Sequence, residues 1–206
     1  MVVLDVLSKV IKYCRRYGFG WGSDIGERHA FKVRDLALKI FDDTRKIHGM
    51  DGYEKNLLEF ASLLHDIGRY RSDENHHIES RNMILESRKL REILAPNDIK
   101  IIAWTTFFHR KKPNPLKYSD EEWNSIKSDR KIFDIIIRLA SILRIADALD
   151  YSLSQIVENI DIKYMENRLV FQIHAKGDAD IEVAKAYEKA ELFKEIFNIN
   201  IDFIQI

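Results

Sequence analysis

Apolar side chains recur every three or four positions along most of the chain. Val3, Val6, Leu7, Val10 and Ile11 share one face and predict a first amphipathic helix ending near Gly18. After a Phe19–Gly22 loop, Asp24 followed by Glu27 has capping-box spacing and opens a second helix, which runs to Gly49. Asp51 with Glu54 repeats that signature and starts a helix from Tyr53 to about Ile67. The polar segment Gly68–Asn75 separates it from a helix reaching about Leu94, and Pro96-Asn97-Asp98 begins another over Asp98–His109. Pro113 and Pro115 punctuate the next loop, and Ser119 with Glu122 caps the short helix after it. Lys131–Leu149 then reads as a nearly continuous apolar helix, long enough to cross a domain centre.

The period changes after Ser154. Ile160–Tyr164 and Leu169–Ile173 alternate as strands around a Met165–Arg168 turn, Asp180–Phe197 returns to helical spacing, and Ile199–Ile206 alternates with a period of two. The pattern predicts a mainly α protein: a helical bundle over residues 1–154, followed by a small α+β subdomain of β-β-α-β order over 155–206. There are no internal repeats.

Composition narrows the function classes. The 206 residues include 33 basic and 33 acidic side chains, so the formal charge is zero and no long-range field draws nucleic acid or an anionic membrane. RNA binding through Arg110–Lys112 and the arginines at 69, 71, 81, 88 and 91 ranks last among the readings, because acidic residues interleave with them. The single cysteine, Cys14, excludes a disulfide framework or a multi-cysteine metal site and reads as an apolar residue of the first helix. No apolar stretch approaches the roughly 18 residues of a membrane span. Asp5 and Lys9 also break the apolar start, so a cytoplasmic protein is expected. The alternating terminal strand offers a pairing edge, through which a homodimer could form.

Several polar residues sit where the pattern calls for burial. His29 shares a helical face with Val33, Leu36 and Ile40, and Asp147 lies on the stripe of Ile136, Ala140 and Leu143. His65-Asp66 closes the apolar run Leu57–Leu64, with Gly68 letting the backbone turn away. A lone buried histidine is ordinarily a hydrogen-bonded core residue, and Asp147 alone could pair with Arg144. Together, imidazoles and carboxylates on three buried faces point to a divalent cation. His77 and His109 would extend the cluster to a second ion sharing Asp66, whereas His76 is expected to be an exposed helix N-terminus. Two ions about 3.5–4 Å apart suit phosphoester displacement. Arg110 and Arg144, close in sequence to these residues, carry guanidinium forks that match phosphate oxygens, and Arg69 could reach the same mouth. Lys111 and Lys112 read as a solvated turn, and His48 and His174 show no partner pattern.

His29, then His65-Asp66, then Asp147 resembles the H…HD…D signature of the HD superfamily of metal-dependent phosphohydrolases. His29–Val33 with Leu36–Leu38, Leu63–Gly68, Phe108–Lys111 and Leu143–Asp150 are similar to the C-terminal helical region of exopolyphosphatase/guanosine-pentaphosphatase (Ppx/GppA) proteins. The terminal β-β-α-β segment is similar to their closing domain. The resemblance covers essentially the whole chain and implies an HD-type bundle carrying metal-assisted hydrolysis of a phosphoester or phosphoanhydride. Two departures limit it. The ATPase-like domains that hold those enzymes' polyphosphate site have no counterpart in these residues, so that activity is not expected to carry over. The usual His-x-His-Ser is here His77-Ile78-Glu79-Ser80.

The leading expectation is a phosphohydrolase that uses one or two divalent ions (Mn, Mg, Co, Fe, Ni or Zn) to activate water. Its ligand would be a nucleotide, a guanosine polyphosphate or a polyphosphate. His29, His65, Asp66 and Asp147 would hold the principal ion, His77 and His109 the second. Asp66 would bridge the ions or orient water, with Arg144 and Arg110 on the phosphate. The alternative is a regulatory module that binds metal or phosphate without turnover.

Overall fold

A computed structural model describes residues 2–22 and 24–206; of Val3, the first apolar position of the predicted face, the side chain lies outside the described residues' side chains, as do Met1 and Ser23 entirely. The helices before the sheet are α1 (Val2–Arg16), α2 (Asp24–Asp43), α3 (Arg45–His48), α4 (Gly52–Leu64), α5 (His76–Glu86), α6 (Arg88–Arg91), α7 (Pro96–Phe107), α8 (Glu121–Ser128) and α9 (Arg130–Ala148). Then come strands β1 (Val157–Met165) and β2 (Arg168–Ala175), helices α10 (Asp180–Lys189) and α11 (Glu191–Phe197), and strand β3 (Asn200–Gln205). The mainly helical bundle with a small C-terminal sheet is the architecture the periodicity predicts. Among the described residues no helix is long and apolar enough to cross a membrane.

Helix α9 is the axis of the bundle. Residues Ile136, Leu139, Ala140, Ile142, Leu143, Ile145 and Ala146 along it are sealed from solvent, and α2, α4, α7 and α8 pack around it. A helix apolar on nearly all sides is stable only where neighbours cover every side. An aromatic group, Trp104 stacked on Trp123 at 5.0 Å with Phe108 4.6 Å from Trp123, fills the end where α7 meets α8. In the sheet β1 and β2 are antiparallel and β2 and β3 parallel, with Ile160 opposite Ile173 and Phe171 opposite Phe203. Parallel pairing demands a crossover, which α10 and α11 supply while packing on α9.

Several predicted boundaries move. The second helix ends at Asp43 because Thr44 Oγ1 bonds back to the Ile40 carbonyl at 2.6 Å, and a separate turn, α3, reaches the left-handed Gly49. Asp24 is the first helical residue rather than a cap. The Asp51–Glu54 capping box forms as predicted. Ser87 caps α6 and splits the helix expected to reach Leu94, and Asp120 rather than Ser119 caps α8 by accepting from the Trp123 amide at 2.6 Å.

Candidate metal centre

Helix ends carry most of the site. His29 comes from the buried face of α2, His65 and Asp66 follow the last residue of α4, His76 opens α5, His109 follows α7, and Asp147 lies in the last turn of α9. Two glycines allow the convergence. A Cβ on Gly68 would strike the His76 carbonyl and the Ser80 amide, and one on Gly20, at φ +90°, would strike the Asp66 carbonyl. Ser80 Oγ donates to the His65 carbonyl at 2.7 Å and accepts from the Gly68 amide at 2.8 Å, fastening α5 to the end of α4.

Each imidazole turns Nδ1 toward an oxygen that can only accept. His65 faces the Ser62 carbonyl at 2.7 Å, His76 the Asp73 carbonyl at 2.7 Å, His109 the Thr106 carbonyl at 2.6 Å and His29 the Asp150 carboxylate at 2.8 Å. Nδ1 therefore carries a proton on all four rings; Nε2 of the neutral His65, His76 and His109 rings is a bare lone pair, whereas His29, whose proton affinity the neighbouring carboxylates raise, also carries a proton on Nε2 when no other cation is there. Yet Nε2 of His29 stands 3.2 Å from Nε2 of His65, and Nε2 of His76 stands 3.2 Å from that of His109. The lone pairs of His76 and His109 repel at that distance unless a cation lies between them, and the His29–His65 approach is met either by a proton on His29 or by a cation. Donors about 2.1 Å from one ion stand roughly 3 Å apart, so the spacing fits shared ligation.

One carboxylate joins the two imidazole pairs. Asp66 Oδ1 is 3.4 Å from His76 Nε2 and 3.7 Å from both His65 and His109 Nε2; its Oδ2 is 3.9 Å from His29 Nε2. Two compact donor sets result, His29–His65–Asp66 and Asp66–His76–His109, all buried. Asp147 stands at the edge, its Oδ1 3.5 Å from His29 and 3.7 Å from His65 Nε2, its Oδ2 held by the Lys189 ammonium. The site's nitrogen and carboxylate donors fit a divalent transition ion.

The carboxylates favour positive charge at the centre, whether from a proton on His29 or from a metal cation. Burial resists charging His29, but hydrogen bonds to Asp147 and Asp150 and the charge of Asp66 override it and push its pKa up to about 10. Burial lowers the affinity of His65, His76 and His109 for a proton. Asp66, despite burial, is held well below the usual carboxylate range by the surrounding imidazoles and Arg69, and Asp147 likewise by Lys189 and His29. A cavity of about 520 Å³ opens onto this centre, with Arg69, Arg110, Lys111, Lys112, Lys185 and Lys189 on its walls.

The model of the family Ppx/GppA phosphatase, domain III, matches residues 22–195, a stretch that takes in every imidazole and carboxylate described above. The chain belongs to this family. No curated protein matches the chain.

Within this domain III protein, the structure brings His29, His65, Asp66, His109 and Asp147 together but leaves His77 out. His76 takes that place. Adjacent helical residues point about 100° apart. With His76 Nδ1 tied to Asp73 and its Nε2 facing Asp66, the His77 ring lies against Phe107, 5.3 Å between centroids, with Nδ1 buried and unpartnered. Arg144 also departs from its expected place. It is buried and donates to the Phe108 carbonyl at 2.6 Å and the Pro113 carbonyl at 2.8 Å, fastening α9 to the loop after α7 instead of facing the cavity. Arg110 does line the cavity, braced by the Glu74 carbonyl at 2.8 Å.

Three contributors, Asp150, Trp21 and Lys189, were not recognised in the sequence, while Arg69, expected at the mouth, reaches it and also binds Asp66. Asp150 orients His29 and is itself held by Gln155, whose amide donates at 3.0 Å and side chain at 3.2 Å. Its position three residues after Asp147 was the available signal. Trp21 donates to Asp66 Oδ2 at 3.1 Å, and Arg69, stacked 4.2 Å from the Trp21 ring, donates to the same oxygen at 2.7 Å. Lys189 arrives from the C-terminal segment, and no local pattern marks it or Trp21.

Proposed function

We propose that this chain is a divalent-metal-dependent phosphohydrolase of the HD type, acting on the phosphoester or phosphoanhydride of a nucleotide, guanosine polyphosphate or polyphosphate. The observation that carries the reading is the convergence of four buried imidazoles on one carboxylate in two donor sets, with the neutral His76 and His109 rings bringing bare Nε2 atoms to 3.2 Å of each other. His29, His65 and Asp66, with Asp147, would hold one ion; Asp66, His76 and His109 would hold a second. A divalent ion there supplies Lewis acidity toward a phosphoryl oxygen and a source of hydroxide near neutral pH.

The protein's own groups do the rest. Carbonyls of Ser62, Asp73 and Thr106 and the Asp150 carboxylate keep the rings in the ligating tautomer. Trp21 and Arg69 hold Asp66 Oδ2, leaving Oδ1 toward three imidazoles. Arg110, with Lys111 and Lys112 beside it on the cavity wall, offsets charge that builds on a phosphate in the transition state. Purified protein should carry a divalent metal and release phosphate from members of a nucleotide, guanosine polyphosphate and polyphosphate panel supplied with Mn²⁺, Co²⁺ or Mg²⁺. Asp66→Asn should abolish both properties. Protein without metal affinity and inert toward the whole panel would overturn the reading. A second reading, a module that binds metal or phosphate without turnover, has support in a family match limited to domain III. It predicts ligand-induced thermal stabilisation with no product.

A further inference from the structure

Lys189 forms an ion pair with Asp147, a metal-ligand candidate. Lys189 is the last residue of α10, which packs on α9, so the C-terminal segment delivers this ammonium to the centre. The pair is secluded, with side chains only 11% and 13% exposed, and Lys189 lines the cavity. Asp147 has one oxygen turned to His29 and His65 and the other held by Lys189, and it stays outside the two compact donor sets. Among the described cations of the cavity wall, Arg69 also pairs with a candidate metal ligand, Asp66, but divides itself between that carboxylate and Asp73. Arg110 is attached to the Glu74 carbonyl, Lys111 lies 3.8 Å from Glu191, and Lys185 lies 3.3 Å from Glu188. Among the described residues, Lys189 makes its one ion pair with a candidate metal ligand.

We propose that Lys189 is a positioning residue that holds Asp147 beside the two donor sets and, when a divalent ion binds there, passes its ammonium to a phosphate of the ligand. The inference rests on the metal reading above. A dication beside Asp147 draws on the same carboxylate charge that retains the ammonium, and it repels the ammonium directly. Lysine's charge rides on a flexible four-carbon stem, so it can move between oxygens where an arginine fork is more constrained. A phosphate arriving in the cavity then restores the anion that Lys189 has given up. The exchange makes ion and phosphate binding mutually supportive, and it ties the C-terminal segment to the chemistry of the bundle.

The test uses the whole chain with Mn²⁺ and inorganic phosphate as probes, read by titration calorimetry. Lys189→Met keeps the apolar stem and removes the charge. It should bind Mn²⁺ about tenfold more tightly than the parent, and its Mn²⁺-loaded form should bind phosphate about tenfold more weakly. Lys189→Arg, which keeps the charge on a more constrained fork, should recover part of the phosphate affinity, which a purely structural role for the side chain would not produce. The unsubstituted protein gives an independent readout through amine acylation followed by mass spectrometry. Labelling of Lys189 should rise when Mn²⁺ is added and fall again with phosphate. If the parent binds Mn²⁺ but Lys189→Met shows neither change, or labelling ignores Mn²⁺, the Lys189 proposal fails while the metal reading stands. If the parent binds no Mn²⁺, both fall together.

Discussion

At the residue scale, the centre depends on which of two adjacent histidines turns inward. His76 Nε2 lies 3.4 Å from Asp66, while His77, beside Phe107, has its pKa lowered to about 4, chiefly by burial and then by Arg110. His76→Gln should therefore lower metal content and affinity by at least about tenfold, and His77→Gln should leave both close to the parent value, as measured by metal analysis of purified protein. Equal loss in both variants would contradict the arrangement. The doublet His76-His77 was visible in the sequence, but its phase was not. Phase at a helix start depends on where the first turn is fastened, here by the His76 bond to Asp73. Arg144 illustrates the same limit, because its partners, Phe108 and Pro113, come from a loop more than thirty positions away.

At the scale of elements, close approach sets the site. Ala at Gly68 would force the α4 end and the α5 start apart, since its Cβ meets the α5 backbone at His76, Glu79 and Ser80. Gly68→Ala should cost about 1–3 kcal/mol in denaturant unfolding and weaken metal binding through displacement of His76. A second element-level device lies at the end of α3. His48 Nε2 donates to the Phe41 carbonyl at 2.8 Å and its Nδ1 accepts from the Met50 amide at 2.9 Å, so the fold needs a neutral ring. Burial, with Arg138 and Arg45 nearby, lowers its pKa below the ordinary 6.5. The unfolded chain thus takes up this proton first as pH falls below 6.5, and stability falls with it. His48→Gln should flatten the difference between unfolding free energies measured at pH 7 and pH 5. An unchanged slope would show that the ring contributes nothing. Sequence spacing had left His48 without a role, because its partners are backbone groups.

At the scale of the whole molecule, a cation in the centre should bind the folded state alone, since α2, α4, α5, α7 and α9 each contribute to the cluster only when packed. At an Mn²⁺ concentration one hundred times Kd, unfolding should cost about 2.7 kcal/mol more, and chelator should reverse the gain. No shift in melting temperature between Mn²⁺ and chelator would count against a metal centre. The helical class, the strand pair, the Asp51 cap and the candidate residues His29, His65, Asp66, His109 and Asp147 were all readable from one dimension. Periodicity reports which face a helix buries, and a polar residue on that face is conspicuous wherever the chain folds. The order of helices also follows from local breakers such as Pro96 and Gly49. What no local pattern contains is the meeting of groups distant along the chain: Trp21 on Asp66, Asp150 on His29, and Lys189 on Asp147. Those pairings arise only when packing around α9 brings separate helix ends within hydrogen-bond reach, and the charge of the centre is settled there.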